Sequence, residues 1–218
     1  DGKHLLVYGF DDYFDLYLAS GLKLLTHARN GINYVRNMAL APGGKVALIC
    51  GDSGKIEAWD VAEPRQLATL AAQCSYGRAI AFSLSGSAAV VSGTGDVALF
   101  DGDWQKPRVF KTAASRAQSI CFMPDGITLV VGQSRAPPWV LDSRDGRRVT
   151  QGIGFGSSPL CASFSPDHSL VAIGTFGDGI VLLDAATGRQ LRVLNKVPVL
   201  PMQIVWLPHG RHLATFGA

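Results

Sequence analysis

Residues 160–194 read LCASFSPDHSLVAIGTFGDGIVLLDAATGRQLRVL, and this stretch decides the architecture. Leu160–Ser165 is a first strand and Pro166-Asp167-His168 a turn. Ser169–Gly174 is a second strand, and Phe176-Gly177-Asp178-Gly179 turns it into a third at Ile180–Asp184. Ala185–Gly188 then leads into a fourth, Gln190–Leu194. Short segments rich in Val, Ile, Leu and Phe, punctuated by Gly, Asp and Pro, fold as antiparallel hairpins. No segment of the chain carries a helical period.

Working outward, the same unit recurs. Turn signals begin at Pro42, Leu84, Pro124, Pro166 and Pro208, in steps of 42, 40, 42 and 42 residues. Two residues before each stands a large apolar side chain: Leu40, Phe82, Phe122, Phe164 and Trp206. A second landmark keeps the same beat, because Trp59-Asp60, Phe100-Asp101, Leu141-Asp142 and Leu183-Asp184 follow one another by 41, 41 and 42 residues. Two landmarks in register over four periods define a repeat of one supersecondary unit.

The period, the four strands per unit, Phe-Ser-Pro-Asp at 164–167, Trp59-Asp60 and the Gly/Asp hairpins resemble the WD-repeat family over essentially the whole chain. The Gly-His dipeptide usual before that family's first strand is absent. The resemblance implies an all-β chain of four-stranded antiparallel β-propeller blades. Four complete blades are expected at 35–70, 77–112, 117–150 and 159–195. Partial blades are expected at 3–26 and 199–217, the whole forming a single region (1–218) of a longer, about seven-bladed propeller. The five apolar residues before the turns are expected to be buried at equivalent places.

Composition narrows the function classes. Hydrophobic residues make up 47% and charged ones 17%, which excludes general disorder. A net charge of +3 gives little support to nucleic-acid or membrane-surface binding. No apolar run approaches the roughly 20 residues that span a bilayer. Asp1-Gly2-Lys3-His4 opens directly into a strand-like run, so no signal peptide is read there. Cys50, Cys74, Cys121 and Cys161 form no CxxC pair and fall largely in apolar strands, which points to reduced thiols inside the cell, the cytoplasm ahead of the nucleus.

Candidate chemistry is sparse. His209 and His212 share a turn without further metal ligands nearby in sequence. Gly152, Gly154 and Gly156 lack the Lys-Ser/Thr of a phosphate loop. Asp96 and Asp178 fit tight turns better than calcium. Lys23, Arg65, Arg108, Arg147 and Arg189 follow the third strands, where the aspartate ending the strand is expected to pair with them across the hairpin. No serine lies in a G-x-S-x-G elbow. No cofactor is expected and the chain is read as a non-enzyme.

One constellation stands out. Eight residues before the turn anchor come Tyr34, Tyr76 and Arg116, and six before it Arg36, Arg78 and Gln118. By the resemblance these positions open the innermost strand, on the face where the loops between blades meet the channel. Three consecutive units then carry Tyr and Arg, the types that anchor protein interfaces. The next two units carry Ser158, Leu160, Leu200 and Met202 instead. The function expected is a non-catalytic scaffold in a multi-subunit assembly, capturing an acidic or aromatic-containing protein segment. A lactonase- or hydrolase-like propeller enzyme and an RNA-binding propeller are the alternatives.

Overall fold

The structure is a computed structural model and describes residues 3–8, 12–63, 65–71, 76–112, 114, 116–123, 125–133, 136–149, 157–194, 200–207 and 209–217. The protein is all-β, built from antiparallel sheets of two to four strands. Contacts divide the chain into two units, Asp1–Ala113 and Ala114–Ala218.

The first unit opens with a three-stranded sheet of β1 (His4–Tyr8), β2 (Tyr13–Leu18) and β3 (Lys23–Arg29). A four-stranded meander follows: β4 (Val35–Leu40), β5 (Val46–Gly51), β6 (Lys55–Asp60) and β7 (Arg65–Ala71). A second consists of β8 (Gly77–Phe82), β9 (Ala88–Ser92), β10 (Val97–Phe100) and β11 (Arg108–Phe110). The meanders pack face to face, Leu48, Cys50, Ile56 and Ala58 of one meeting Ile80, Val90, Ala98 and Phe100 of the other. Gly77 makes the close approach possible: a Cβ there would come 2.8 Å from the Cβ of Cys50.

The second unit holds β12 (Ala117–Phe122), β13 (Thr128–Gln133) and β14 (Ala136–Asp142), then β15 (Pro159–Phe164), β16 (Leu170–Thr175), β17 (Ile180–Asp184) and β18 (Gln190–Leu194), then β19 (Pro201–Trp206) and β20 (Leu213–Gly217). Equivalent side chains tie consecutive first strands together. Ser119 Oγ donates to the Pro159 carbonyl at 2.5 Å, and Cys161 Sγ, one period later, to the Pro201 carbonyl at 3.1 Å. Burial drives the Cys121 and Cys161 thiols up to about 12 and 11, so both are neutral packing groups at physiological pH.

Two expectations change. The fourth strand of the 117–150 unit is reduced, among the described residues, to a single bridge between Leu141 and Arg148, and residues 150–156 lie outside them. The apolar residues before the turns do occupy equivalent places, each opposite the start of the second strand, as Leu40 is to Ala47 and Phe164 to Val171. Only Phe122 is fully buried, at 1% exposure, whereas Leu40, Phe82, Phe164 and Trp206 are half-buried. All five lie on strands at the edge of their sheets, so what packs over each strand, and not its place in the repeat, decides the burial. In the four-stranded sheets the second and third strands are flanked on both sides, and β9 and β10 are buried at every residue.

The aspartates ending the third strands also behave differently from expectation. Asp60, Asp142 and Asp184 each accept a backbone N–H two or three residues on, closing the turn. Arg65 reaches Glu63 and Arg147 reaches Asp145, while among the described residues only Asp101 pairs across its hairpin, with Arg108. A backbone donor fixed two residues away costs a short carboxylate less order than a long mobile arginine. No helix among the described residues is long and apolar enough to cross a membrane.

Candidate protein-binding face

Every first strand that opens a unit after the first sheet begins with the same irregularity. In β4, Val35 pairs with Gly51 and Asn37 with Cys50, so Arg36 is an extra, unpaired residue. Arg78 is skipped in the same way between Gly77 and Ala79, and in the second unit so are Gln118, Leu160 and Met202. A bulge of this kind re-aims the side chain it carries. Arg36, Arg78, Gln118 and Met202 are exposed, and Leu160 is half-buried.

At three of the five bulges the residue two before it is left-handed. Tyr34, Tyr76 and Arg116 have φ of 51°, 62° and 52°. Left-handed backbone costs an L-residue roughly 1–2 kcal/mol and is ordinarily given to glycine. The ladder holds it in place: the Tyr34 carbonyl accepts the Asp52 N–H at 3.2 Å and the Tyr76 carbonyl the Gly93 N–H at 2.8 Å. The side chains turn to water, Tyr34 being 66% and Tyr76 54% exposed. Strained backbone carrying exposed aromatic and basic groups is a functional signal, because the strain gains nothing for the core.

Within the first unit Arg36 and Arg78 stand on the adjoining strands β4 and β8, and Tyr34 and Tyr76 immediately precede those strands. Arg36 is anchored, its Nε donating to Asp52 Oδ1 at 2.8 Å and its Nη2 to Oδ2 at 2.5 Å. That bidentate bond is the main reason the Asp52 carboxyl sits below the ordinary carboxylate range, with burial opposing it and the Arg78 charge adding to it. Arg78 makes no hydrogen bond or ion pair among the described residues, and Gly93 leaves room for it beside Tyr76. The Tyr8 hydroxyl donates to the Arg36 carbonyl at 3.3 Å, and burial raises its phenol above the ordinary value. The arrangement offers two aromatic rings, one fixed guanidinium and one unpaired guanidinium.

In the second unit Arg116 and Gln118 occupy the same register positions and are exposed. The next unit departs from the pattern as its sequence does. Ser158 is buried and exchanges hydrogen bonds with the Gln133 backbone, its Oγ accepting from Gln133 N–H at 2.9 Å. Leu200 and Met202 are exposed apolar groups.

Sequence reasoning missed Asp52 and Tyr8. Asp52 was within reach of it: opposed residues in an antiparallel pair keep a constant sum of numbers, which sets Asp52 across from Tyr34 once Val35 is matched to Gly51. Tyr8 belongs to a different sheet and had no such signal. His209 and His212 are exposed, and no group of three or more His, Cys, Asp or Glu gathers among the described residues. Asp96 and Asp178 sit in hairpin turns, their N–H groups bonded to Ser92 and Thr175 hydroxyls. Gly152, Gly154 and Gly156 lie outside the described residues.

Repeated four-stranded antiparallel sheets, bulged at the start of each first strand, are consistent with a WD-repeat-like fold. The chain is similar to Protein groucho of Drosophila melanogaster, a WD-repeat protein, with 27% identity over 161 residues. The match covers 71% of this chain, which spans only 22% of the length of that relative. No model of a known protein family matches the chain.

Proposed function

We propose that the chain is a non-catalytic scaffold, a propeller-forming part of a larger intracellular assembly, and that it captures a protein segment on the face carrying Tyr34, Arg36, Tyr76 and Arg78. Within the second unit, Arg116 and Gln118 stand at the same register positions and are proposed as partner-binding there. The observation that carries the reading is the left-handed residue and bulge repeated at three successive first strands, which hold Tyr and Arg side chains in solvent. The tyrosines lose little rotamer entropy on burial against a partner, Arg36 is already held by Asp52, and Tyr and Arg are enriched among the side chains that dominate binding energy. The unpaired Arg78 favours a segment with a carboxylate, and the tyrosines favour an aromatic or apolar neighbour to it. The similarity to a WD-repeat protein supports protein partners in general.

The test is a pull-down with Arg78→Glu and Arg116→Glu combined with Arg36→Gln. Glutamine at 36 avoids setting a second carboxylate against Asp52. The combined variant is expected to melt as the parent does and to lose its protein partners, with parental binding weakening as salt is added. Recovery of the same partners by the variant refutes the face. Selective loss of RNA instead of protein transfers the reading to nucleic acid.

A further inference from the structure

The residue that follows the second strand does the same backbone work in three sheets. The Asp52 N–H donates to the Tyr34 carbonyl at 3.2 Å, the Gly93 N–H to the Tyr76 carbonyl at 2.8 Å, and the Phe176 N–H to the Ser158 carbonyl at 3.0 Å. The ladder needs the amide at this position and not the side chain. The side chain accordingly differs each time: a carboxylate at 52, none at 93, and a half-exposed ring at 176.

In the first unit that difference falls on the two bulge arginines. Asp52 takes the Arg36 guanidinium with both carboxylate oxygens. Glycine at 93 offers nothing comparable, and the exposed Arg78 has no hydrogen bond or ion pair among the described residues. Space does not account for the glycine. A Cβ there would meet Arg78 Nε at 3.4 Å and Tyr76 Cβ at 3.6 Å, which are ordinary contacts, so an aspartate would fit and would lie within reach of the guanidinium. Two guanidiniums against one carboxylate leave one positive charge over, and it resides on Arg78. The paired Arg36 still presents a guanidinium plane on which an aromatic ring stacks. We propose that positions 52 and 93 set the specificity of the face: Asp52 withholds Arg36 from a partner's carboxylate, and Gly93 leaves Arg78 to take it. The partner is then a protein segment with one acidic side chain, seated at Arg78 and flanked by aromatic residues. The inference rests on the reading of this face as partner-binding.

The experiment is an NMR titration of the whole ¹⁵N-labelled chain with N-acetyl-Phe-Glu-Phe amide and its glutamine analogue, following the arginine Nε–H signals. The glutamate peptide should bind more tightly and shift Arg78 more than Arg36. Gly93→Asp supplies an internal carboxylate to Arg78 and should weaken the glutamate peptide by about tenfold or more. Gly93→Asn fills the same space without the charge, and its loss should be at least severalfold smaller. Asp52→Asn releases Arg36 and should tighten the glutamate peptide severalfold, an outcome that a purely structural aspartate would not give. It reports even if the variants at 93 do not fold. If the parent binds neither peptide, or both alike, the acid-capturing face itself is refuted and this inference with it. A parent that prefers glutamate leaves the face standing. In that case undiminished binding by Gly93→Asp, an equal loss in Gly93→Asn, or no gain in Asp52→Asn overturns the roles given to positions 52 and 93.

Discussion

Replacing Tyr34 by glycine and, separately, by alanine removes the same phenol ring and tests the backbone beneath it. At an ordinary strand position alanine is the more stable of the two by roughly 0.5–1 kcal/mol. Tyr34 has φ of 51°, where a Cβ costs roughly 1–2 kcal/mol that glycine does not incur. The greater freedom of glycine in the unfolded chain takes back about 0.4–1 kcal/mol. Glycine should therefore be the more stable by about 0.5–1 kcal/mol, with the sign opposite to that of a normal strand. Urea denaturation of the pair measures it with the unfolding slope as a control, and Tyr76 with φ of 62° should behave alike. Both substitutions should weaken partner capture equally, because both delete the ring and neither moves Arg36. If alanine proves equal to or more stable than glycine at both positions, the backbone is not left-handed there and the bulged face is wrong.

Phe122→Ala should cost about 3–5 kcal/mol, as for buried aromatics, and Phe164→Ala measurably less, since Phe164 is only half-buried; equal losses in thermal or urea unfolding would contradict the burial described for the two. The Asp167 carboxyl is held at about 2, first by the Ser165 hydroxyl and then by Ser169, against roughly 3.9 for an unfolded aspartate. A depressed folded value means that its contribution is complete above about pH 4 and is lost as pH falls towards 2. The stability difference between the parent and Asp167→Asn should accordingly shrink over that window, and a difference constant from pH 5 to 2.5 would refute the turn's role.

Much of the fold was legible because its determinants are local. Pro166-Asp167 and Asp125-Gly126 form turns through their own side chains and φ preferences, as Asp125 Oδ1 does in accepting the Ile127 and Thr128 N–H groups. The runs at 88–91 and 171–174 are apolar throughout, as expected of strands flanked on both sides. The repeated Tyr and Arg offsets were visible for the same reason, since they are fixed by distance along the chain from a turn.

What depended on tertiary structure is what those offsets mean. Periodicity assigned Leu40, Phe82, Phe122, Phe164 and Trp206 one role, yet only Phe122 is fully buried, because burial of an edge strand is set by the sheet beside it. The pairing of Arg36 with Asp52 and the left-handed backbone of Tyr34, Tyr76 and Arg116 arise only once strands are in register. The sequence alone determined the repeat, its turns and the residue types at each strand start, which are properties of short segments. Which of those residues face water, which are bonded and which remain free was decided by packing between segments far apart in the chain, where burial and hydrogen-bond satisfaction are settled together.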